Sequence, residues 1–433
     1  MQRLGPFETN PHLAVGVSGG RDSVALVLLA AEWAAARGGL ATAVTLDHGL
    51  RDASADEAGL VSEWMAQHGI PHHTLAWVDS PGPGLSCMSA SEAAARTARY
   101  GLLEAFCRDH KILHLLVGHH LDDQLETQVM RRARSSGVFG QAGMPAVREL
   151  ARTRVLRPFL DIPRARVTAT LHARGQSWVE DPSNQDMRFT RARMRLDQSS
   201  RPAVALDVDS QMARSRVAAE REISRVAARA VAVHPAGFAT LDPTSLGATD
   251  REVAVRLVAG LVTCIGGRVY APRGQRLNRL ADKLIDDVLG GGATLGGCTV
   301  QPCGAGLVRI ARELAAIDEP RHIIGDGERA RAIEWDGRFQ VWLPAADALG
   351  ATFDGETQIG AVGHFLACGV PEHTDSPRHE ALPHTVRMAL PAICRAGQFH
   401  VCALPYSSYR RWVTAKARFA PKNPVAGAVF ATG

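Results

Sequence analysis

The first 175 residues alternate between short apolar runs and longer segments with helical spacing, and this alternation restricts the fold more than any other feature. Repeated β–α units predict a parallel sheet covered by helices on both faces, which is a doubly wound α/β fold. Strands are expected at 12–17, 41–46, 73–78, 113–117 and 155–160, and helices at 24–36, 54–68, 89–110, 122–134 and 164–174.

Two unusual segments follow the first and the fourth of these strands. They are Ser18-Gly19-Gly20-Arg21-Asp22-Ser23 and the stretch from Gly118 to Thr127. If the strand order is the common 3-2-1-4-5, these two strands are neighbours, and the loops after them open onto one crevice. Because ligands bind at the carboxyl ends of such strands, the two segments are predicted to form one site.

The first segment has the composition of a phosphate-binding loop. Two glycines and two serines between a strand and a helix let backbone N–H groups approach a phosphate at the helix N-terminus. The segment lacks the spacing and the lysine of a Walker loop, which disfavours P-loop kinase chemistry. A plain glycine turn is the alternative, and Ser-Gly-Gly-x-Asp-Ser after a strand is more specific than such a turn.

The second segment carries acids at the expected start of a helix. Asp122 and Asp123 open this helix, and Glu126 lies one turn further on the same face. Asp22 and Asp123 could hold Mg²⁺ between the two loops, because magnesium prefers oxygen ligands. The adjacent histidines, 119 and 120, could stabilise charge on a transferring phosphoryl group. For the segment alone, an N-capped helix on the surface is the competing interpretation.

Length and composition predict more than one domain. A chain of 433 residues exceeds the size of a single core, so we expect an N-terminal catalytic domain at 1–200, a helical linker and central domain at 201–315, and a β-rich accessory domain at 316–433. No apolar stretch reaches the roughly 20 residues of a membrane span, and the first ten residues lack the apolar core of a secretory signal. A cytoplasmic protein without a membrane partner is therefore expected.

Arginine is concentrated in one part of the chain. Between residues 131 and 195 there are 14 arginines and few carboxylates, whereas the net charge of the whole chain is only +5. A polyanion surface and an ordinary solvated surface explain this charge equally well. Eight scattered cysteines without a Cys-x-x-Cys pair suggest neither a zinc ribbon nor an iron–sulfur site.

The order of the motifs resembles the N-type ATP pyrophosphatases, whose PP-loop domain has an adenine nucleotide alpha hydrolase-like fold, and within them the tRNA(Ile)-lysidine synthetases. The resemblance covers about the first 200 residues. It rests on the segments Ser18–Ser23, Asp47-His48-Gly49-Leu50-Arg51, Ala95-Arg96-Thr97-Ala98-Arg99-Tyr100, His119–Thr127, Gly137–Met144, Arg157-Pro158 and Trp178–Asn184 with Arg191, Arg193 and Arg195. The family usually has asparagine where Ala192 stands, which puts in doubt a side-chain hydrogen bond from that position.

This resemblance implies a ligase that uses ATP and Mg²⁺ to join L-lysine to the wobble cytidine of tRNA(Ile) with a CAU anticodon, through an adenylated cytidine. The arginine-rich stretch would then contact tRNA phosphates, and residues 201–315 would form a tRNA-binding domain. A homodimer is possible under this resemblance. Cofactor-binding positions would be Ser18, Gly19, Gly20, Arg21, Asp22, Ser23, Asp47 and His48. Asp22 and Asp123 would be the metal or lysine-site carboxylates, and catalytic positions would be Asp22, Asp123, Arg96, Arg99, His119, Glu126 and Arg193.

Two alternatives to the lysine-ligating enzyme remain. Another N-type pyrophosphatase, such as a tRNA thiolase, would normally use a reactive cysteine, and only Cys87 and Cys107 lie in the first 200 residues, neither near a motif. A non-catalytic RNA-binding relative would be favoured by the loss of Asp22, Asp123 or Glu126, and all three are present.

Overall fold

In the computed structural model the described residues divide into two units, one from Met1 to Ala218 and the other from Ala219 to Ala426. The predicted division at residues 200 and 315 stays a prediction. No helix in the ranges that follow is long and apolar enough to cross a membrane. The structure describes residues 1–47, 53–76, 92–133, 142–150, 153–180, 205–323, 331–343, 357–373, 382–395, 397–405 and 415–426.

The first unit contains six strands and six helices within its described residues. The strands are β1 (His12–Gly16), β2 (Leu40–Asp47), β3 (His72–Ala76), β4 (His114–Leu116), β5 (Val147–Glu149) and β6 (Arg154–Leu156). The helices are α1 (Arg21–Ala35), α2 (Ala53–Gln67), α3 (Glu92–Asp109), α4 (Leu121–Ala133), α5 (Arg164–Ala173) and α6 (Ala205–Ala230), whose residues from Ala219 belong to the second unit.

These strands form one sheet in the order β3-β2-β1-β4-β6-β5. Every pair from β3 to β6 is parallel, so the predicted order 3-2-1-4-5 is confirmed, with β6 in the fifth place. The edge strand β5 runs antiparallel to β6 and was not predicted, since the three residues Val-Arg-Glu carry no apolar run. Strands one and four are neighbours, as the predicted site requires.

Successive residues of the central strands face opposite sides of this sheet. Leu13 and Val15 of β1 pack in one buried cluster with residues of α1, α2 and α5, whereas Ala14 packs in another with Leu103 and Phe106 of α3. Both faces are therefore covered by helices, which explains why the strands are apolar at nearly every position. The doubly wound α/β fold is confirmed.

The second unit begins with a five-stranded antiparallel sheet in the order β7-β8-β11-β10-β9. Helix α6 ends at Ala230, because two valines in 231–234 form a strand that turns back at Gly237, where φ is +78°. Its elements are β7 (Val231–His234), β8 (Phe238–Leu241), α7 (Thr244–Gly247), α8 (Arg251–Ile265), α9 (Gln275–Ile285), β9 (Ala293–Leu295), β10 (Cys298–Pro302) and β11 (Val308–Arg312).

The remainder of the second unit is rich in strands, as the sequence predicted. Its described strands form two antiparallel sheets, β12-β15-β16-β17 and β13-β14-β18. The elements are β12 (Arg321–His322), β13 (Arg331–Trp335), β14 (Phe339–Leu343), β15 (Gln358–Ala361), α10 (Val362–Ala367), α11 (His384–Met388), β16 (Pro391–Arg395), β17 (Gln398–Val401) and β18 (Lys416–Phe419).

A buried ionic triad ties β11 to the turn between β13 and β14. The carboxylate of Asp336 lies 2.7 Å from Nη2 of Arg312 and 2.6 Å from Nε of Arg338, and all three side chains are at most 6% exposed. Arg338 also donates to the carbonyl oxygen of Gly237, and Arg312 to that of Gly297. Two guanidinium groups thus share one carboxylate and backbone acceptors in the interior.

We expect Asp336→Ala to destabilise the protein by about 3–5 kcal/mol, because it leaves two buried guanidinium groups without their counter-charge. Urea denaturation of the full chain measures this loss. The matched control is Asp282→Ala, which removes a bidentate but exposed pair with Arg251 and should change stability little. Equal losses in the two variants would contradict the role given to the triad.

A second prediction concerns acid stability and His114 of β4. The imidazole is fully buried, with Nε2 2.9 Å from Oε2 of Glu8. Burial lowers the pKa of His114 below its ordinary value of 6.5, and Glu8 offsets this only in part. In the unfolded chain the histidine takes up a proton near pH 6.5, whereas in the folded protein it does so only at lower pH. Stability is therefore lost as the pH falls from 6.5 towards the folded pKa.

His114→Gln removes this titrating group. The variant should be less stable than the parent at pH 7.5, because a buried ring is lost, but its melting temperature should decline less between pH 7.5 and 5. Thermal melts across this range give both slopes. Parallel slopes would assign the acid sensitivity to other groups.

Candidate active site

The loop Ser18–Ser23 is held in shape by its own serines. Gly19, in the loop that follows β1, has a φ of +79°, at which a residue with a side chain would be strained. Gly20 is the N-cap of α1. Oγ of Ser23 accepts a hydrogen bond from the backbone N–H of Ser18 at 3.1 Å and donates to the carbonyl oxygen of Gly20 at 2.8 Å. The turn is thereby closed against the first turn of α1, the helix end that favours anions.

A distant segment of the chain also supports this loop. The backbone N–H of Val179 donates to the carbonyl oxygen of Gly19 at 2.9 Å, and Gly20 forms an isolated parallel bridge with Val179. A Cβ atom on Gly19 would lie 3.2 Å from Val61 and 3.3 Å from Val179, closer than ordinary packing allows. The stretch around Trp178 therefore packs against the glycine loop and stabilises it. In the sequence, only the resemblance to the family had drawn attention to this stretch.

The loops after β1 and β4 touch at a second glycine. A Cβ atom on Gly118 would lie 3.0 Å from both the backbone carbon and the carbonyl oxygen of Asp22. Only a glycine lets the chain that leaves β4 approach the first turn of α1 so closely. The two segments therefore meet at the carboxyl ends of β1 and β4, as predicted.

The centre of this contact is a buried histidine, His120, at the N-terminus of α4. Its Nε2 lies 3.6 Å from Oδ2 of Asp22 and 3.5 Å from Oδ2 of Asp123, and its Nδ1 lies 3.7 Å from Oδ2 of Asp122. The side chain is only 3% exposed. The two carboxylates predicted to act together are therefore adjacent, with one imidazole between them.

The pKa values of this cluster follow from its charges. Burial on its own would raise the pKa of Asp22, but His120, with Arg21 and Arg164, outweighs burial and holds that pKa below its ordinary value. Burial would likewise lower the pKa of His120, but Asp22, Asp123 and Asp122 together raise it. Each group thus favours the charged form of its neighbour.

The neighbouring Asp122 and Arg21 hold α5 in place. Asp122 accepts a hydrogen bond from the backbone N–H of Arg164 at 2.9 Å, at the first residue of α5. Nη1 of Arg21 donates to Oγ1 of Thr168 at 3.1 Å, and its guanidinium carbon lies 5.8 Å from the ring centroid of Trp178. The Arg21 side chain is therefore directed towards α5, while its backbone belongs to the loop.

Gln124 docks the loop 142–146 onto α4. Its side-chain amide donates to the carbonyl oxygen of Met144 at 3.0 Å and accepts from the N–H of Met144 at 2.6 Å. The preceding carbonyl, that of Gly143, accepts from Arg131 at 2.8 Å, and the following one, that of Pro145, accepts from Arg157 at 2.7 Å. Three successive carbonyls are thus fixed by side chains, a feature the sequence did not reveal.

The remaining predicted residues are distributed along neighbouring elements. Asp47 is half-buried at the carboxyl end of β2, next to β1. His119 and Glu126 are half-buried beside and on α4, and Arg99 is exposed on α3. The backbone of Arg96 belongs to α3, but its side chain lies outside the described part of the structure, as do His48 and Arg193 entirely. Their roles stay predictions.

The carboxylates fit a magnesium ion that also binds phosphates. Within the described residues, no group of three or more His, Cys, Asp and Glu side chains is arranged to hold a metal ion. Mg²⁺ usually needs only one or two protein carboxylates, with water and substrate phosphates completing its shell. Oδ1 of Asp22 is buried and accepts no hydrogen bond, so it is suited to such a role.

Comparison with known proteins agrees with this geometry. Residues 1–199 match the family model described as a PP-loop domain. A tRNA(Ile)-lysidine synthase of Ruegeria pomeroyi is 35% identical over 407 residues, covering 89% of this chain and 87% of that protein. One from a Bradyrhizobium species is 33% identical over 331 residues, covering 72% and 91%. A solved U34-tRNA thiolase from Methanococcus maripaludis with its [4Fe-4S] cluster has a TM-score of 0.37 at 17% identity, covering 51% and 70%, too low a likeness to carry an argument.

Gly118→Ala tests the contact between the two loops. The added Cβ should push the Asp22 backbone away and weaken ATP binding by about tenfold, or 1.4 kcal/mol. Isothermal titration with ATP and Mg²⁺ measures the effect. The matched control is Gly16→Ala at the end of β1, where a Cβ would meet its nearest atom at 3.8 Å. Unchanged affinity in Gly118→Ala would show that the loops need not touch.

Proposed function

Since this chain belongs to the tRNA(Ile)-lysidine synthase family, we propose that it ligates lysine to C2 of the wobble cytidine in tRNA(Ile) with a CAU anticodon. The PP-loop domain supports the use of ATP. The single observation that carries the proposal is the meeting of the glycine loop after β1 with the acidic start of α4 after β4. Backbone N–H groups at the start of α1 and the carboxylates of Asp22 and Asp123 come together there.

In the first step, the C2 oxygen of cytidine attacks the α-phosphorus of ATP. A P–O bond forms to the cytidine, and the bond to pyrophosphate breaks. Backbone N–H groups of Ser18–Ser23 and the N-terminus of α1 bind the phosphates. Asp22 and Asp123 would hold Mg²⁺, which offsets the negative charge on the departing pyrophosphate.

In the second step, the ε-amine of lysine attacks C2 of the adenylated cytidine. The C–N bond forms, the C–O bond to AMP breaks with the electron pair leaving on AMP, and the nitrogen loses a proton to water. An ammonium substrate requires carboxylates, for which Asp123 and Glu126 on α4 are the candidates. His119, Arg99, Arg96 and Arg193 are proposed to contact the cytidine and its phosphate. AMP and pyrophosphate are the other products.

Several arginines in the described part of the arginine-rich stretch already have partners within the protein or are buried. Arg154 donates to backbone carbonyls near the N-terminus, Arg174 pairs with Glu32, and Arg157 is buried. Arg148 and Arg166 are exposed, and for neither does the structure give such a bond. We propose these two for phosphate contacts, which position a nucleic acid without reading its sequence.

A thiolase activity is less well supported. In the described part of the first unit, Cys107 is the free cysteine. Burial, helped by Glu104, raises the pKa of Cys107 to about 12, so its thiol is protonated at neutral pH. A sulfur-transfer step needs a thiolate, which this residue does not supply.

Lysidine formation can be measured directly. The protein is incubated with ATP, Mg²⁺, lysine and a tRNA(Ile) transcript carrying CAU, and the digested RNA is examined by mass spectrometry. A lysine-mass adduct on cytidine is expected in the presence of all four components. The absence of any adduct would sink the lysidine proposal.

Asp123→Asn tests the carboxylate within the same assay. Asparagine can still accept the hydrogen bond from the backbone N–H of His120, so α4 should keep its cap. AMP release should fall about 100-fold, while tRNA binding in filter assays should be nearly unchanged. The control is Asp109→Asn, at the exposed end of α3. If turnover survives in Asp123→Asn, the carboxylate is misassigned.

A further inference from the structure

His120 stands between the two carboxylates that come from different loops. Asp22 belongs to the loop after β1, and Asp123 to the helix after β4. One nitrogen, Nε2 of His120, is within 3.6 Å of an Oδ2 atom of each. Two carboxylates on separate segments thus lie near the same nitrogen of a third side chain.

We propose that His120 is a positioning residue, which orients the carboxylates of Asp22 and Asp123 towards the magnesium ion of the ATP complex. Its contact is with the Oδ2 atom of Asp22. The other oxygen, Oδ1, is buried and accepts no hydrogen bond, and Nε of Arg21 lies 3.7 Å from it. Residues that contact metal ligands from outside the coordination shell and orient them commonly contribute 10–100-fold to metal affinity.

Helix capping alone does not explain this histidine. The N-terminus of α4 is already capped by Asp123, whose Oδ2 accepts from the backbone N–H of residue 120 at 3.1 Å. That bond does not involve the imidazole and would persist with any residue at this position. Nδ1 accepts a hydrogen bond from the N–H of Asp123 at 3.4 Å, so this ring nitrogen takes part in the cap. Nε2 does not, and it is the nitrogen that lies near Asp22 and Asp123.

The charges around the ring come from all the elements packed against it. Asp22 approaches from α1, Asp122 and Asp123 from α4, while Arg21 and Arg164 lie near Asp22. Asp122 is also bound by the N-terminus of α5. Asp22 and Asp123 share Nε2, so they are the pair whose geometry depends on His120.

This inference rests on the proposed function, and the experiment separates the two. The variant is His120→Asn, which keeps a side-chain N–H donor but is too short to contact both carboxylates. Binding of Mn²⁺ to the protein with ATP, followed by electron paramagnetic resonance, should be weakened 10–100-fold. The KM for Mg²⁺ in lysidine formation should rise by a similar factor, while kcat at saturating Mg²⁺ changes only a few-fold.

Two further variants complete the comparison. His120→Gln, which is longer and can approach both carboxylates, should recover part of the Mn²⁺ affinity, and it serves alone if the asparagine variant does not fold. His110→Asn is the control, because His110 bonds the carbonyl of Phe106 at the end of α3 and touches none of the carboxylates. Its Mn²⁺ affinity should equal that of the parent.

Unchanged or tighter Mn²⁺ binding in both His120 variants would overturn the proposal, since the ring would then be dispensable or would compete with the metal. A comparable loss of Mn²⁺ binding, tRNA binding and thermal stability would also overturn the proposal, because it would indicate a purely structural histidine. A parent protein that binds Mn²⁺ with ATP but forms no lysidine would instead contradict the proposed function and leave the His120 result intact.

Discussion

The parallel pairing of β1 with β4 is the constraint on which the candidate site depends. It brings two segments about one hundred residues apart in the chain to the same edge of the sheet. Because Gly118 has no side chain, the second loop can rest on the backbone of Asp22. The meeting of N–H groups and carboxylates is then a consequence of sheet topology and of one missing Cβ atom.

Much of this arrangement could be predicted from the sequence, because the relevant signals are local. The apolar runs of β1 and β4, the glycines at 19 and 20 and the acids at 122 and 123 each identify an element or its end. General rules for parallel sheets then bring those ends together. The strand order and the meeting of the two loops were therefore predictable without a structure.

Other parts depend on contacts between residues far apart in sequence, and no local pattern predicts them. The bridge from Val179 to the glycine loop, the docking of Met144 by Gln124 and the edge strand at 147–149 are of this kind. The surroundings of His120 could be predicted from the sequence only in part. His120 precedes α4 and Asp123 follows three residues later, a spacing that indicates a capping interaction. Only the fold shows that Asp22 also lies next to the imidazole.

The triad of Arg312, Asp336 and Arg338 has a consequence for how the second unit can open. Its members come from β11 and from the β13–β14 turn, and each guanidinium also holds a carbonyl of a further segment. Partial opening that separates the turn from β11 would part Arg312 from Asp336 and Arg338. It would leave buried charge without its partner. Such half-open states are therefore costly, and we expect the segments that the triad joins to open together.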